Sequence, residues 1–120
     1  MTRSGGVVAL GECMVAVNLT GGDQAVLGYA GDVFNTSVYL SRLGQRVRFA
    51  TVLGGDDPFS RAIADRITDE GINDQLVART PGRLPGLYAV ERDAAGERRF
   101  HFWRDQSPFR QFFELSDAAA

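Results

Sequence analysis

The chain has 120 residues, 44% of them hydrophobic and 23% charged, which is enough for one compact apolar core and too little for two. All 13 basic residues are arginine, against 15 Asp and Glu, so the net charge of −2 makes no electrostatic case for nucleic acid. The missing lysine excludes a P-loop lysine and a Schiff-base amine, while a single cysteine (Cys13) and a single histidine (His101) exclude an intrachain disulfide and a zinc site of Cys/His ligands.

In chain order, Val7 to Leu10 is an apolar run that predicts a buried strand. Met14 to Leu19 and Ala25 to Ala30, separated by Gly21, Gly22 and Asp23, predict a hairpin. A helix is expected from Val33 to Leu43, with Asp32 as N-cap, Gly44 as terminator, and Val33, Thr36, Leu40 and Leu43 on one face. A strand follows at Val47 to Leu53. Asp57 and Pro58 then supply the N-cap and first residue of a second helix, whose Phe59, Ile63 and Ile67 recur at helical spacing. Gly71 ends it, with Ile72 placed for the apolar contact of a Schellman cap.

A short strand near Gln75 to Ala78 comes next. Leu87 to Arg92 and Glu97 to Trp103 predict a second hairpin closed by Asp93-Ala94-Ala95-Gly96, with aromatic residues on both faces of its second strand. Ser107 and Pro108 predict the start of a third helix over the tail, and Phe109, Phe112 and Phe113 read as core or interface. The order strand, helix, strand, helix, strand from Val7 to Ala78 argues for an α/β fold with a parallel sheet, from which the two hairpins project. No apolar run is long enough to span a bilayer and no secretory-type start is present. The expected setting is the cytoplasm, with neither membrane nor nucleic acid as partner.

The motif search first removes options. There is no Gly-x-Gly-x-x-Gly for a dinucleotide and no Gly-x-Ser-x-Gly nucleophile elbow. Asp56 and Asp57 resemble a metal pair, but the helix that starts at Pro58 explains Asp57 as a cap. His101 reads as a packing or surface residue, and Glu12 as either a polar anchor for a site or a loop contact. The informative stretch is Gly28 to Thr36. Glycine at the mouth of a helix lets a ligand approach closely, and Asp32 and Asn35 offer hydrogen-bonding groups suited to sugar hydroxyls. Spacing alone leaves open the alternative in which Gly31 makes a turn and Asp32 only caps the helix.

At Ala30-Gly31, Asn35, Ser37, Gly44 and Gly54 the sequence resembles the first signature of the PfkB, ribokinase-like, carbohydrate kinase family. It departs at Val33, where that pattern prefers Gly, Ala or Pro. Within the family the chain is most similar to the 2-keto-3-deoxygluconate kinases. That likeness runs through Gly11-Glu12-Cys13-Met14, Gly31 to Thr36 with Val38-Tyr39-Leu40, Gly54 to Phe59, Pro85-Gly86-Leu87-Tyr88, and Gly96-Glu97-Arg98 leading to Phe102-Trp103-Arg104. It covers nearly the whole chain.

The resemblance implies the N-terminal part of a ribokinase-like three-layer α/β/α fold, with a β-sheet lid over about residues 14–30 and 87–104. It implies that Gly31, Asp32 and Asn35 contact sugar hydroxyls, that Tyr88 closes over the substrate and that Arg104 faces a carboxylate. Phe102 stands where relatives commonly have tyrosine, and the missing hydroxyl puts one substrate hydrogen bond, or the exact substrate, in question. The implied reaction is transfer of a phosphoryl group from ATP, with Mg2+, to a sugar hydroxyl. Its catalytic base lies in a later Gly-Ala-Gly-Asp-like segment that residues 1–120 lack, so this piece alone is expected to be inactive and to bind neither ATP nor metal. The alternatives are a fructokinase or another sugar kinase of this type, or a non-catalytic module that binds sugar or dimerises through the lid.

Overall fold

A computed structural model describes residues 6–112. Its elements are β1 (Val7–Leu10), β2 (Met14–Gly21), β3 (Gln24–Ala30), α1 (Asp32–Arg42), β4 (Val47–Gly54), α2 (Pro58–Asp69), β5 (Val77–Thr80), β6 (Leu87–Arg92) and β7 (Arg98–Trp103), followed by a 3-10 turn at Pro108–Gln111. β1, β4 and β5 form a parallel sheet in that order, with Val7 beside Val47 and Thr51 beside Val77. Alternate residues of β4 point to one face, where Val47, Phe49 and Leu53 join Phe34 and Val38 of α1 and Ile63 and Ile67 of α2 in a single core. The two helices lie side by side on that face. Ser41 donates to the Glu70 carbonyl at 2.6 Å, and Arg42 pairs with the Glu70 carboxylate.

The opposite face has no helical layer among the described residues. The 3-10 turn packs on β4, where Ala50 and Val52 are buried, whereas Val8 and Leu10 of β1 stay 52% and 42% exposed.

β2 and β3 form the first hairpin and β6 and β7 the second. The two project together, as expected of a lid built from both: β2 and β6 pair in parallel, giving one four-stranded sheet of order β3-β2-β6-β7. β2 begins buried on both faces and ends exposed, so this second sheet is rooted beside the parallel sheet and projects from it. The radius of gyration, 15.7 Å, exceeds the roughly 13.6 Å of a compact chain of this length for the same reason.

Several local expectations are corrected. Gly31, not Asp32, is the N-cap of α1, and no side chain caps that end. The buried face of α1 carries Phe34, Ser37 and Val38; Thr36 is exposed and Leu43 is 78% exposed. The buried Ser37 hydroxyl is satisfied by donating to the Val33 carbonyl at 2.8 Å. β5 starts two residues late because Asn73 accepts from the Gln75 N–H and the Val77 N–H bonds to Asp74, which makes a turn where the strand was expected. The β6–β7 loop is residues 93–97, since Arg92 pairs with Arg98 and the Asp93 side chain takes the N–H groups of Ala95 and Glu97. Ser107 is the N-cap of the 3-10 turn, its carbonyl accepting from the Arg110 N–H at 3.2 Å, but its side chain makes no cap bond. The remainder of the expected tail helix, with Phe113, lies outside the described residues. The second helix agrees in detail: Asp57 accepts from the Ser60 N–H, and Ile72 donates to Ile67 and Gly71 to Thr68, the two bonds of a Schellman cap.

Candidate sugar-binding cleft

A cleft of about 360 Å³ opens between the start of α1, the end of β1 and one face of the projecting sheet. Strand register builds its aromatic wall. Tyr88 lies opposite Phe102, and Val90 opposite Phe100, so Tyr88, Phe100 and Phe102 share a face. Their ring centroids are 5.8 to 6.4 Å apart. Arg104 follows β7 directly and holds its guanidinium carbon 5.0 Å from the centroid of the Phe102 ring, a cation–π contact. Among the described residues Arg104 has no carboxylate partner within 4.0 Å. Its charge is left facing the cleft.

The polar wall comes from α1. Because Gly31 caps the helix without a side chain, the exposed Asp32 carboxylate and Asn35 amide are not consumed by capping and both line the cleft. Gly31 has extended backbone that any residue adopts; glycine is needed there for room. A Cβ on it would lie 2.2 Å from the Glu12 carbonyl oxygen. Gly86 is also tight, though against side chains: its Cβ would meet Glu12 Oε2 at 2.7 Å and the Arg104 Cβ at 2.9 Å.

Tyr88 is half-buried, and burial, reinforced by Cys13 and Asp32 and opposed by Arg98, raises its phenol above the usual tyrosine range. At neutral pH it is therefore an uncharged hydroxyl, able to donate and accept. Gly31, Asp32, Asn35, Tyr88, Phe102 and Arg104, all singled out in the sequence, line this one cleft. Five further lining residues were not assigned to the site: Glu12, Met14, Ala30, Val33 and Phe100. Phe100 was detectable two residues before Phe102 in the same strand. Glu12 fits both of its open readings: it lines the cleft, and it accepts a hydrogen bond at 2.5 Å from Ser107 Oγ in the loop after β7.

Other candidates have local explanations. Asp57 caps α2, Asp56 pairs with Arg61 at 2.9 Å, and His101 meets Glu91 at 3.0 Å on the sheet's other face. Burial pushes the Cys13 thiol up to about 12, so it is an inert core group. Among the described residues no three His, Cys, Asp or Glu side chains stand together as a metal site, and no helix is long and apolar enough to cross a membrane.

A second cleft, of about 560 Å³, lies behind the sheet against Phe59, Leu84 and Trp103. It is larger but mainly apolar. The first cleft combines a carboxylate, an amide, a phenol and a guanidinium over an aromatic wall. Such convergent polar groups orient a small polar ligand, and the single free guanidinium favours one that carries a negative charge.

The sequence pattern of the pfkB family carbohydrate kinases matches residues 5–118. The chain is 36% identical over 118 residues to 2-dehydro-3-deoxygluconokinase from Escherichia coli K12, spanning 95% of this chain and 38% of the relative. It is 33% identical over 112 residues to Fructokinase-1 of Oryza sativa subsp. japonica, covering 88% of this chain and 34% of the relative. Among solved structures it superimposes on Xylella fastidiosa fructokinase with a TM-score of 0.77 at 26% identity, over 94% of this chain and 37% of that one. The chain thus spans less than two-fifths of the length of these relatives.

Proposed function

The chain belongs to the pfkB family of carbohydrate kinases, and on that premise we propose that its cleft is the sugar site of a kinase acting on 2-keto-3-deoxygluconate, the sugar acid also called 2-dehydro-3-deoxygluconate. The observation that carries this reading is Arg104, a guanidinium with no carboxylate partner among the described residues, set across one cleft from Asp32 and Asn35. In this assignment Arg104 takes the carboxylate of the acid in a forked, charge-assisted contact, and Asp32 and Asn35 take its hydroxyls. Tyr88 and Phe102 form the apolar wall on which the carbon chain rests. The sheet of β2, β3, β6 and β7 acts as the lid over the substrate. Relatives named for this sugar acid, at 36% identity over 118 residues, support the choice of substrate class.

ATP, with Mg2+, supplies the phosphoryl group in this reading. The described residues do not fit either: α1 opens on Asp32 and α2 is capped by Asp57, which repel a triphosphate at both helix N-termini, and no metal-binding cluster is present among them. Nucleotide binding and the catalytic base are therefore assigned to other parts of the whole kinase. The 120-residue chain is expected to bind the acid and to leave ATP intact.

The lid also exposes Leu19, Leu27 and Trp103 on one face, each between 48% and 61%, and we assign this apolar surface to pairing with a second copy of the chain. A strictly monomeric species by light scattering at high concentration would contradict that pairing.

Calorimetric titration tests the substrate assignment. The acid is expected to bind the chain more tightly than fructose, and tighter binding of fructose would reassign the site to a neutral ketose. ATP-dependent phosphorylation of the acid by the chain alone would refute the separation of sugar binding from phosphoryl transfer.

A further inference from the structure

We infer that Ser107, anchored by Glu12, is a positioning residue that aims Arg104 into the cleft; the inference rests on the assignment of Arg104 to the ligand's carboxylate. All six residues of β7 are exposed, and so are Arg104, Asp105 and Gln106 after it. A long cationic side chain on such a strand end has few neighbours to hold it, and stacking on Phe102 alone leaves it mobile along the ring face. The chain becomes buried again at Ser107, which is 2% exposed.

Two bonds meet at Ser107. Its N–H donates to the Arg104 carbonyl at 3.1 Å, closing a tight turn, and its hydroxyl donates to Glu12 Oε2 in the connection between β1 and β2, 95 residues earlier in the chain. The turn that carries Arg104 is thus tied to the connection between β1 and β2, where the parallel sheet meets the projecting one. Gly86 permits the tie, because any side chain there would collide with both Glu12 and Arg104.

The same bond governs charge. Glu12 lines the cleft that holds Arg104, yet the two form no ion pair; Glu12 is engaged by an uncharged hydroxyl instead. The guanidinium remains available to an incoming anion. Ser107 itself does not line the cleft, so it acts through Arg104.

A double-mutant cycle tests this, with 2-keto-3-deoxygluconate titrated into the chain and its variants. Ser107→Ala and Arg104→Gln are each expected to weaken binding about tenfold, and the double variant to bind within about twofold of Arg104→Gln. Independent losses that multiply to about a hundredfold would overturn the positioning role while leaving the carboxylate assignment intact. An Arg104→Gln variant that binds like the parent, or a parent that does not bind the acid, would overturn the carboxylate assignment and this inference with it.

If Ser107→Ala fails to fold by circular dichroism, the isosteric pair Ser107→Thr and Ser107→Val replaces it. The threonine variant is expected to bind about tenfold more tightly than the valine variant, and equal binding would refute the role of the hydroxyl.

Discussion

Gly31→Ala probes the junction on which the cleft is built. The added Cβ would lie 2.2 Å from the Glu12 carbonyl oxygen, whereas real Cβ contacts do not fall below 3.0 Å, so backbone must part by about 0.8 Å where β1 passes the start of α1. Neither partner is a flexible side-chain end that could swing away. Forced overpacking of this kind costs about 1–3 kcal/mol, which for a domain of this size lowers Tm by about 4–12 °C. Gly28→Ala is the matched control, since a Cβ there meets nothing within 4 Å; it is expected to be neutral or to raise stability by up to about 1 kcal/mol through the unfolded state. Thermal unfolding followed by circular dichroism reads both. Equal melting temperatures for the two variants would refute the claim that Gly31 is there for close approach.

Cys13 is expected to react with a disulfide reagent at pH 8 at least about a hundredfold more slowly in the folded chain than in denaturant, because burial holds its thiol near 12; comparable rates would contradict its place in the core. The Arg42 side chain, donating to Glu70 at 2.9 and 2.6 Å, holds the Glu70 carboxyl below the ordinary glutamate range. The stabilisation is thus fully present above the unfolded value and is lost as pH falls through the lowered folded one. Arg42→Ala is expected to move the Glu70 titration upward in an NMR experiment, and an unchanged titration would rule out the pair as its cause. Phe102→Tyr places a hydroxyl on the cleft wall beside Tyr88, 5.8 Å away between centroids, and is expected to tighten binding of the acid about threefold; weaker binding would argue that position 102 does not face the ligand.

The strands were legible because apolar runs and glycine-rich turns are local signals, and α2 because its cap, its spacing and its terminator agree. α1 was legible as a helix but only partly in phase. Val33 and Leu40 of the expected stripe do pack against the core, but Thr36 and Leu43 do not, and Phe34 packs on Phe49 with ring centroids 5.6 Å apart. Nothing local told that Ser37 would be buried with its hydroxyl turned back on Val33. The parallel pairing of β2 with β6 was likewise hidden, because it joins segments about seventy residues apart and carries no turn signature. The cleft residues were named through family resemblance. What the sequence did not reveal was the tie between Glu12 and Ser107, a contact between two polar residues that each had a plausible local role.

The most direct test of the central claim is a crystal structure of the chain with 2-keto-3-deoxygluconate bound. The account predicts the carboxylate within hydrogen-bonding distance of the Arg104 guanidinium, hydroxyls at Asp32 and Asn35, and the carbon chain against Tyr88 and Phe102. Sugar acid seated instead in the cleft beside Trp103 and Leu84, or bound with its carboxylate away from Arg104, would contradict it.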